Sequence, residues 1–194
     1  MIGGYSDSLN FFSKLTPRRA VNAANIFSSY QYSRWRATPA IKGMPVSIAF
    51  EPTTSCNLRC PECPSGLRSF TRPTGMLHAD LFQTVIDQLA PTLTYLTFYF
   101  QGEPFINKNI FDLISYANAK GIYTATSTNA HFLNPESCEK VIDSGLKRMI
   151  ISIDGTTQEV YEQYRKEGSL EKVLEGTRNM VDANKKRNAQ FPHL

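Results

Sequence analysis

The stretch CNLRCPEC places Cys56, Cys60 and Cys63 within eight residues of a 194-residue chain that has only four cysteines. A thiolate is a soft metal ligand. Spacings of three and two residues let one loop wrap three thiolates around a single metal centre. Iron–sulfur clusters are usually held by four thiolates, one per iron in a four-iron cube. Three thiolates leave one iron open, and an open coordination position is what a catalytic metal needs. Zinc is the competing reading, because Cys56, Cys60 and Cys63 could hold it with one further ligand. Structural zinc commonly uses two pairs of ligands, and no second pair is visible. Cys138 precedes Val141 and Ile142 at helical spacing and is expected to face the core as a small apolar residue. His78, His131 and His193 are isolated.

The compartment bears on the same question. The start, MIGGYSDSLNFFSKL, lacks an apolar core long enough for a secretory signal. No run of about 18 apolar residues suggests a membrane span. A cytoplasmic protein is expected, and its thiols stay reduced as ligands or nucleophiles rather than as a disulfide framework.

The elements that position these groups follow from the hydrophobic pattern. The segments VSIAF (46–50), TYLTFYF (94–100), IYTATST (122–128) and RMIISID (148–154) read as strands. Between them lie helical periods. Leu81, Val85 and Leu89 recur after Asp80, and Ile110, Leu113, Ile114 and Ala117 form a second set that Gly121 stops. Asn134 is placed to cap a third helix, with Pro135 at its first position. A fourth follows Ser169, with Leu170, Val173, Leu174 and Val181 on one face and Lys185, Lys186 and Arg187 at its end. The order β-α-β-α-β-α-β-α predicts a parallel α/β sheet with right-handed crossovers. Strand starts about 27 residues apart after the second strand suit compact βαβ units. The chain stops at FPHL after a helix, where a further strand is expected, so it reads as part of a longer protein.

Hydrophobic content of 41% and charged content of 20% place the chain among folded proteins rather than disordered ones. Charge is uneven. Residues 1–45 carry six basic side chains against Asp7 alone, a net +5; the rest carries 15 basic and 16 acidic groups. A nucleic-acid surface is therefore not expected of the main body. The basic arm also holds Phe11, Phe12, Phe27, Tyr30, Tyr32 and Trp35. It reads either as a helix packed beside the main domain with solvated charges, or as a weak contact with an anionic membrane or partner.

The cysteine motif after a first strand resembles the radical S-adenosylmethionine (SAM) superfamily, and three further motifs strengthen the likeness. QGEP (101–104) follows the second strand and is similar to the family's GGEP. STNA (127–130) follows the third, and SIDG (152–155) the fourth, with Arg165 in YEQYRKEGS. The resemblance implies that Cys56, Cys60 and Cys63 hold a [4Fe-4S] cluster whose open iron receives SAM. It implies that Gly102 and Glu103 bind the SAM amino group, Ser127 and Asn129 the ribose, and Ser152 and Arg165 the carboxylate. It further implies reductive cleavage of SAM to a 5′-deoxyadenosyl radical, fed by a reductant such as flavodoxin or ferredoxin.

The implied fold is a partial (β/α)6 barrel with four of six βα units, residues 46–194, preceded by a basic helical arm, residues 1–45. The last strand edge would then lie open. Glu62 stands where the superfamily usually has an aromatic residue near the adenine. The helix pattern and YEQYRKEGS most resemble members with a C-terminal SPASM extension, which modify peptides or proteins; no such extension follows here. No residue for substrate acid–base catalysis is identified. The alternative is a non-catalytic zinc or iron–sulfur module that docks a partner.

Overall fold

A computed structural model describes residues 3–194, so the first two residues of the expected arm lie outside the described residues. Four strands, β1 (Ser47–Ala49), β2 (Tyr95–Thr97), β3 (Tyr123–Thr128) and β4 (Arg148–Ile151), form one all-parallel sheet in the order β1-β2-β3-β4. The register aligns Ile48 with Leu96 and Leu96 with Thr124, so these side chains share one face of the pleat. That face packs on the helices. The opposite face carries Ser47, Tyr95, Tyr123, Ser127 and Ile150 and looks into the concave side.

Each crossover carries a helix, α4 (Ala79–Leu89), α5 (Ile110–Ala119) and α6 (Pro135–Asp143), and α8 (Leu170–Lys186) follows β4. They come in the predicted order. The Asn134 cap forms as read, accepting the Ser137 N–H at 2.9 Å, and the structure adds a second at Ser169, which accepts the Lys172 N–H at 3.3 Å. Cys138 is fully buried in the core with Val141.

Two apolar stripes differ from the reading. On α4 the buried residues are Phe82 and Ile86, and Leu81 is exposed. The Phe82 ring fills the space between Phe50 and Phe98, which fixes the helix rotation one residue away from the leucine period. On α8 the inward line runs through Leu170, Val173, Gly176, Met180 and Ala183. Leu174 sits one step round from Val173 and is exposed, while Val181 is only partly buried. The second strand is also shorter than TYLTFYF, because residues after Phe98 leave the ladder and turn toward the loop that follows β1.

Further helices add to the alternation: α3 (Pro64–Leu67), α7 (Gln158–Tyr164) and a 3-10 turn at Pro104–Ile106. Past α8 the chain returns to the sheet. The Met149 N–H donates to the His193 carbonyl at 2.8 Å, and the His193 N–H donates to the Lys147 carbonyl at 2.9 Å. This parallel bridge occupies part of the β4 edge expected to be open, where a next strand would add.

The basic arm is helical, as α1 (Gly3–Phe12) and α2 (Pro17–Arg36). Helix α1 lies at the N-terminal end of the strands. Its buried Asp7 carboxylate accepts from the Tyr123 hydroxyl and the Arg148 guanidinium, with His193 Nε2 3.8 Å away. Phe11 packs edge-on against the rings of Tyr95 and Tyr123. Among the described residues no helix is long and apolar enough to cross a membrane.

Candidate functional site

At the carboxyl ends of the strands, four loops converge on one cavity of about 170 Å³. Ligand sites of parallel α/β sheets gather at this end because the strand-to-helix loops meet there. The loop after β1 carries the three cysteines. Leu58, 1% exposed, pins the loop into the core, and the Cys63 N–H closes a turn on the Cys60 carbonyl at 3.2 Å. The Arg59 N–H ties the loop to the Lys166 carbonyl beyond α7 at 3.0 Å. Helix α3 folds back over it. A Cβ on Gly66 would lie 2.5 Å from the Cys60 carbonyl oxygen, so only glycine allows this approach.

The loop after β2 lies against the first. Gly102 has φ +77°, and a Cβ there would meet the Thr53 carbonyl oxygen at 2.1 Å. The next residue then donates its N–H to the Ser55 carbonyl at 2.8 Å, one residue before Cys56. This turns the Glu103 side chain inward. Its carboxylate accepts from the Thr128 hydroxyl and the Asn129 N–H, both at 2.8 Å, and from the Phe105 N–H at 3.3 Å. Burial outweighs these donors and pushes the Glu103 carboxyl up to about 7. Burial also raises the Cys56 thiol and the Cys60 thiol, with Arg165 pulling Cys60 partly back.

The ends of β3 and β4 complete the wall. Asn129 donates to Asn57 Oδ1 at 2.8 Å and approaches Cys56 Sγ at 3.9 Å, so it holds the cysteine loop from the far side. The Ser127 and Ser152 hydroxyls are hydrogen-bonded to each other at 3.2 Å. Arg165, at the end of α7, is fixed by Asp154 through its Nε, and its Nη1 points at Cys60 Sγ 3.8 Å away.

Cys56, Cys60, Cys63, Gly102, Glu103, Ser127, Asn129, Ser152 and Arg165 therefore all line the same cavity. Several neighbours escaped the sequence reading. Gln101 Oε1 accepts from the Cys63 thiol at 3.3 Å, Thr128 and Asn57 hold Glu103 and Asn129, and Asp154 orients Arg165. Asp154 and Gln101 were at least visible as members of the motifs SIDG and QGEP. Glu62 is exposed; the rings that line the cavity are Tyr99, Phe100 and Tyr164.

The donor set is three thiols on one loop, which fits a four-iron cluster with one iron left open. All three cysteines are free thiols. Among the described residues no three His, Cys, Asp or Glu side chains converge tightly enough to hold a single metal ion.

Comparison with known proteins agrees with this geometry. The profile of the family described as "Radical SAM superfamily" matches residues 50–192. An AdoMet-dependent heme synthase of Methanosarcina barkeri is 31% identical over 154 residues, 79% of this chain and 42% of that protein. The solved structure "Native anSMEcpe with bound AdoMet" superposes with a TM-score of 0.62 at 18% identity, over 72% of this chain and 42% of that one. Streptococcus suis SuiB bound to its precursor peptide SuiA superposes with a TM-score of 0.59 at 14% identity, over 80% of this chain and 34% of that one. The chain thus spans about two fifths of the length of the curated relative it matches.

Proposed function

The chain belongs to the radical SAM superfamily, and from that premise we propose that it forms the cofactor-binding half of an enzyme that cleaves SAM reductively to modify a peptide or protein. The observation that carries the reading is the meeting of nine motif residues from the ends of all four strands around one cavity. Cys56, Cys60 and Cys63 hold a [4Fe-4S] cluster. When bound, this group supplies the electron that turns SAM into methionine and a 5′-deoxyadenosyl radical.

The chain's own residues orient the cofactor. Glu103, held near neutrality by burial, takes the SAM ammonium against its carboxylate, and the positive charge draws it to the ionised form. The Gly102 backbone, which lines the cavity beside Glu103, would accept from the same group. Ser127 and Asn129 face the ribose. Ser152 and Arg165 receive the carboxylate; Asp154 takes the Arg165 Nε and Nη1 lies 3.8 Å from Cys60 Sγ, which leaves Nη2 to donate. Leu58 and α3 pack behind the cysteines and would shield the inner side of a cluster held there.

A peptide substrate is supported by the fold shared with SuiB, whose structure holds a precursor peptide. Substrate choice lies outside the nine residues, since a heme synthase resembles the same region. We place the boundary between arm and barrel at residue 45, the enzyme in the cytoplasm, and a flavodoxin or ferredoxin as electron donor.

Electron paramagnetic resonance of the anaerobically reconstituted, reduced chain tests the reading. A four-iron signal that changes on addition of SAM is expected. A cluster signal indifferent to SAM would favour the non-catalytic module, and zinc in place of iron would overturn both the cluster and the reaction.

A further inference from the structure

Helix α2 is docked with its polar side inward. Its buried residues are Arg19, Asn22 and Ser29. Arg19 donates to four backbone carbonyls, of Lys14 and Gly121 through Nη1 and of Ala90 and Lys120 through Nη2, at 2.5–3.0 Å. Asn22 donates to the Met44 carbonyl at 2.8 Å and accepts its N–H at 2.9 Å. The helix is therefore fastened by hydrogen bonds to loops at the N-terminal end of the sheet. Its apolar side is left in water. Val21, Phe27, Tyr32 and Trp35 are exposed, Trp35 at 77%, and Ile41 at 85% follows in the loop that Asn22 holds.

This inverts the usual arrangement of a surface helix, in which the apolar stripe faces the core. Val21, Ala24, Tyr32 and Trp35 lie within about 80° of the helical wheel at about 100° per residue, with the exposed Ser28 among them and Phe27 about 60° beyond the edge. Arg18 and Arg36 flank the crest on one side and Arg34 on the other. No acidic residue occurs between Asp7 and Glu51. The guanidinium of Arg36 stacks over the Trp35 ring and that of Arg34 over Tyr30.

We propose that α2 and the loop after it seat the protein on an anionic phospholipid surface. Three features select this occupant. A convex aromatic crest fits a yielding plane and offers no groove to enclose a peptide. Basic groups on both flanks, with no acid among them, match lipid phosphates. The same charges would face one another across a two-fold contact with a second copy. Seated this way, the membrane meets the N-terminal end of the sheet and leaves the cysteine cavity open to the opposite side. The proposal draws on nothing in that cavity, so its failure leaves the SAM reading untouched.

Trp35 is the only tryptophan of the chain and reports directly. The folded chain is mixed with vesicles of phosphatidylcholine alone, or of phosphatidylcholine with phosphatidylglycerol, and Trp35 emission and sedimentation are followed. The anionic vesicles should shift the emission to the blue and carry the chain down, and high salt should release it. Arg34→Glu with Arg36→Glu should weaken binding by at least about tenfold. Phe27→Ser with Trp35→Ser should abolish sedimentation while circular dichroism stays unchanged, since both side chains are exposed. Equal binding to phosphatidylcholine alone, or no binding, overturns the proposal. So does a blue emission without vesicles that grows with protein concentration, which would assign the crest to a second copy.

Discussion

The two ends of the sheet are built for opposite purposes. At the carboxyl end, thiols, hydroxyls, a guanidinium and a half-neutral carboxyl face a cavity of about 170 Å³. At the amino end a larger hollow, about 690 Å³, is walled by Phe11, Phe12, Tyr95 and Tyr123, and its charged groups are paired. Size therefore does not mark the chemistry. What distinguishes the ends is whether polar groups are satisfied by the protein itself. Asp7 has a phenol and a guanidinium as partners, so that end is spent on stability. The cysteines make only sulfur contacts of 3.3–3.9 Å, with Leu58, Gln101, Asn129 and Arg165, and that end is left for ligands.

Substitutions can sharpen this contrast. The largest effect is expected from Cys60→Ser, which should abolish incorporation of the four-iron cluster. Cys138→Ser, in the helix-packed core, should leave the iron content unchanged; iron analysis and visible absorbance decide. Next comes Glu103→Gln. The folded carboxyl titrates at about 7 against an ordinary 4.5. The stability tied to its proton is therefore full below about 4.5 and lost as pH rises through about 7. Denaturant melts of the cofactor-free chain should lose about 3 kcal/mol across that window, and the glutamine variant should not. If both melts fall alike, the buried carboxyl is not the cause.

At the other end, Asp7→Asn should cost about 2 kcal/mol in urea unfolding by weakening charge-assisted bonds to Tyr123 and Arg148. The response of the cluster signal to SAM should persist. If that response vanished, the two ends would be coupled and the contrast broken. The smallest effect is expected from Arg165→Lys. Loss of the planar fork should weaken SAM binding about tenfold, roughly 1.4 kcal/mol, by titration calorimetry, with little change in the melt.

Much of the scaffold was legible because it rests on local periodicity. The alternation of strands and helices, the Asn134 cap and the buried Cys138 all follow from residues within a turn or two of each other. Positions that depend on distant partners were harder. Phe82 rather than Leu81 turns inward because two rings from β1 and β2 wait for it. The same division holds in the cavity. Its nine residues were readable because each motif follows its own strand. The contacts that set them, Asn57 to Asn129, Gln101 to Cys63 and Gly66 to the Cys60 backbone, join loops whose approach no local pattern records. On α2 the reading of solvated charges fails at Arg19, which is buried against backbone carbonyls of distant loops that no local pattern records.

The Asp7 contact sets a condition on the order of synthesis. Its partners Tyr123 and Arg148 lie 116 and 141 residues further along the chain. At ribosomal rates of about 5–20 residues per second, α1 waits on the order of ten seconds before its binding surface exists. Until then the Phe11 ring has no aromatic shelf, and the helix has too few residues to persist alone in water. A segment made more than a hundred residues before its partners is thus among the last to settle, and it would close against the sheet like a latch once β4 is in place.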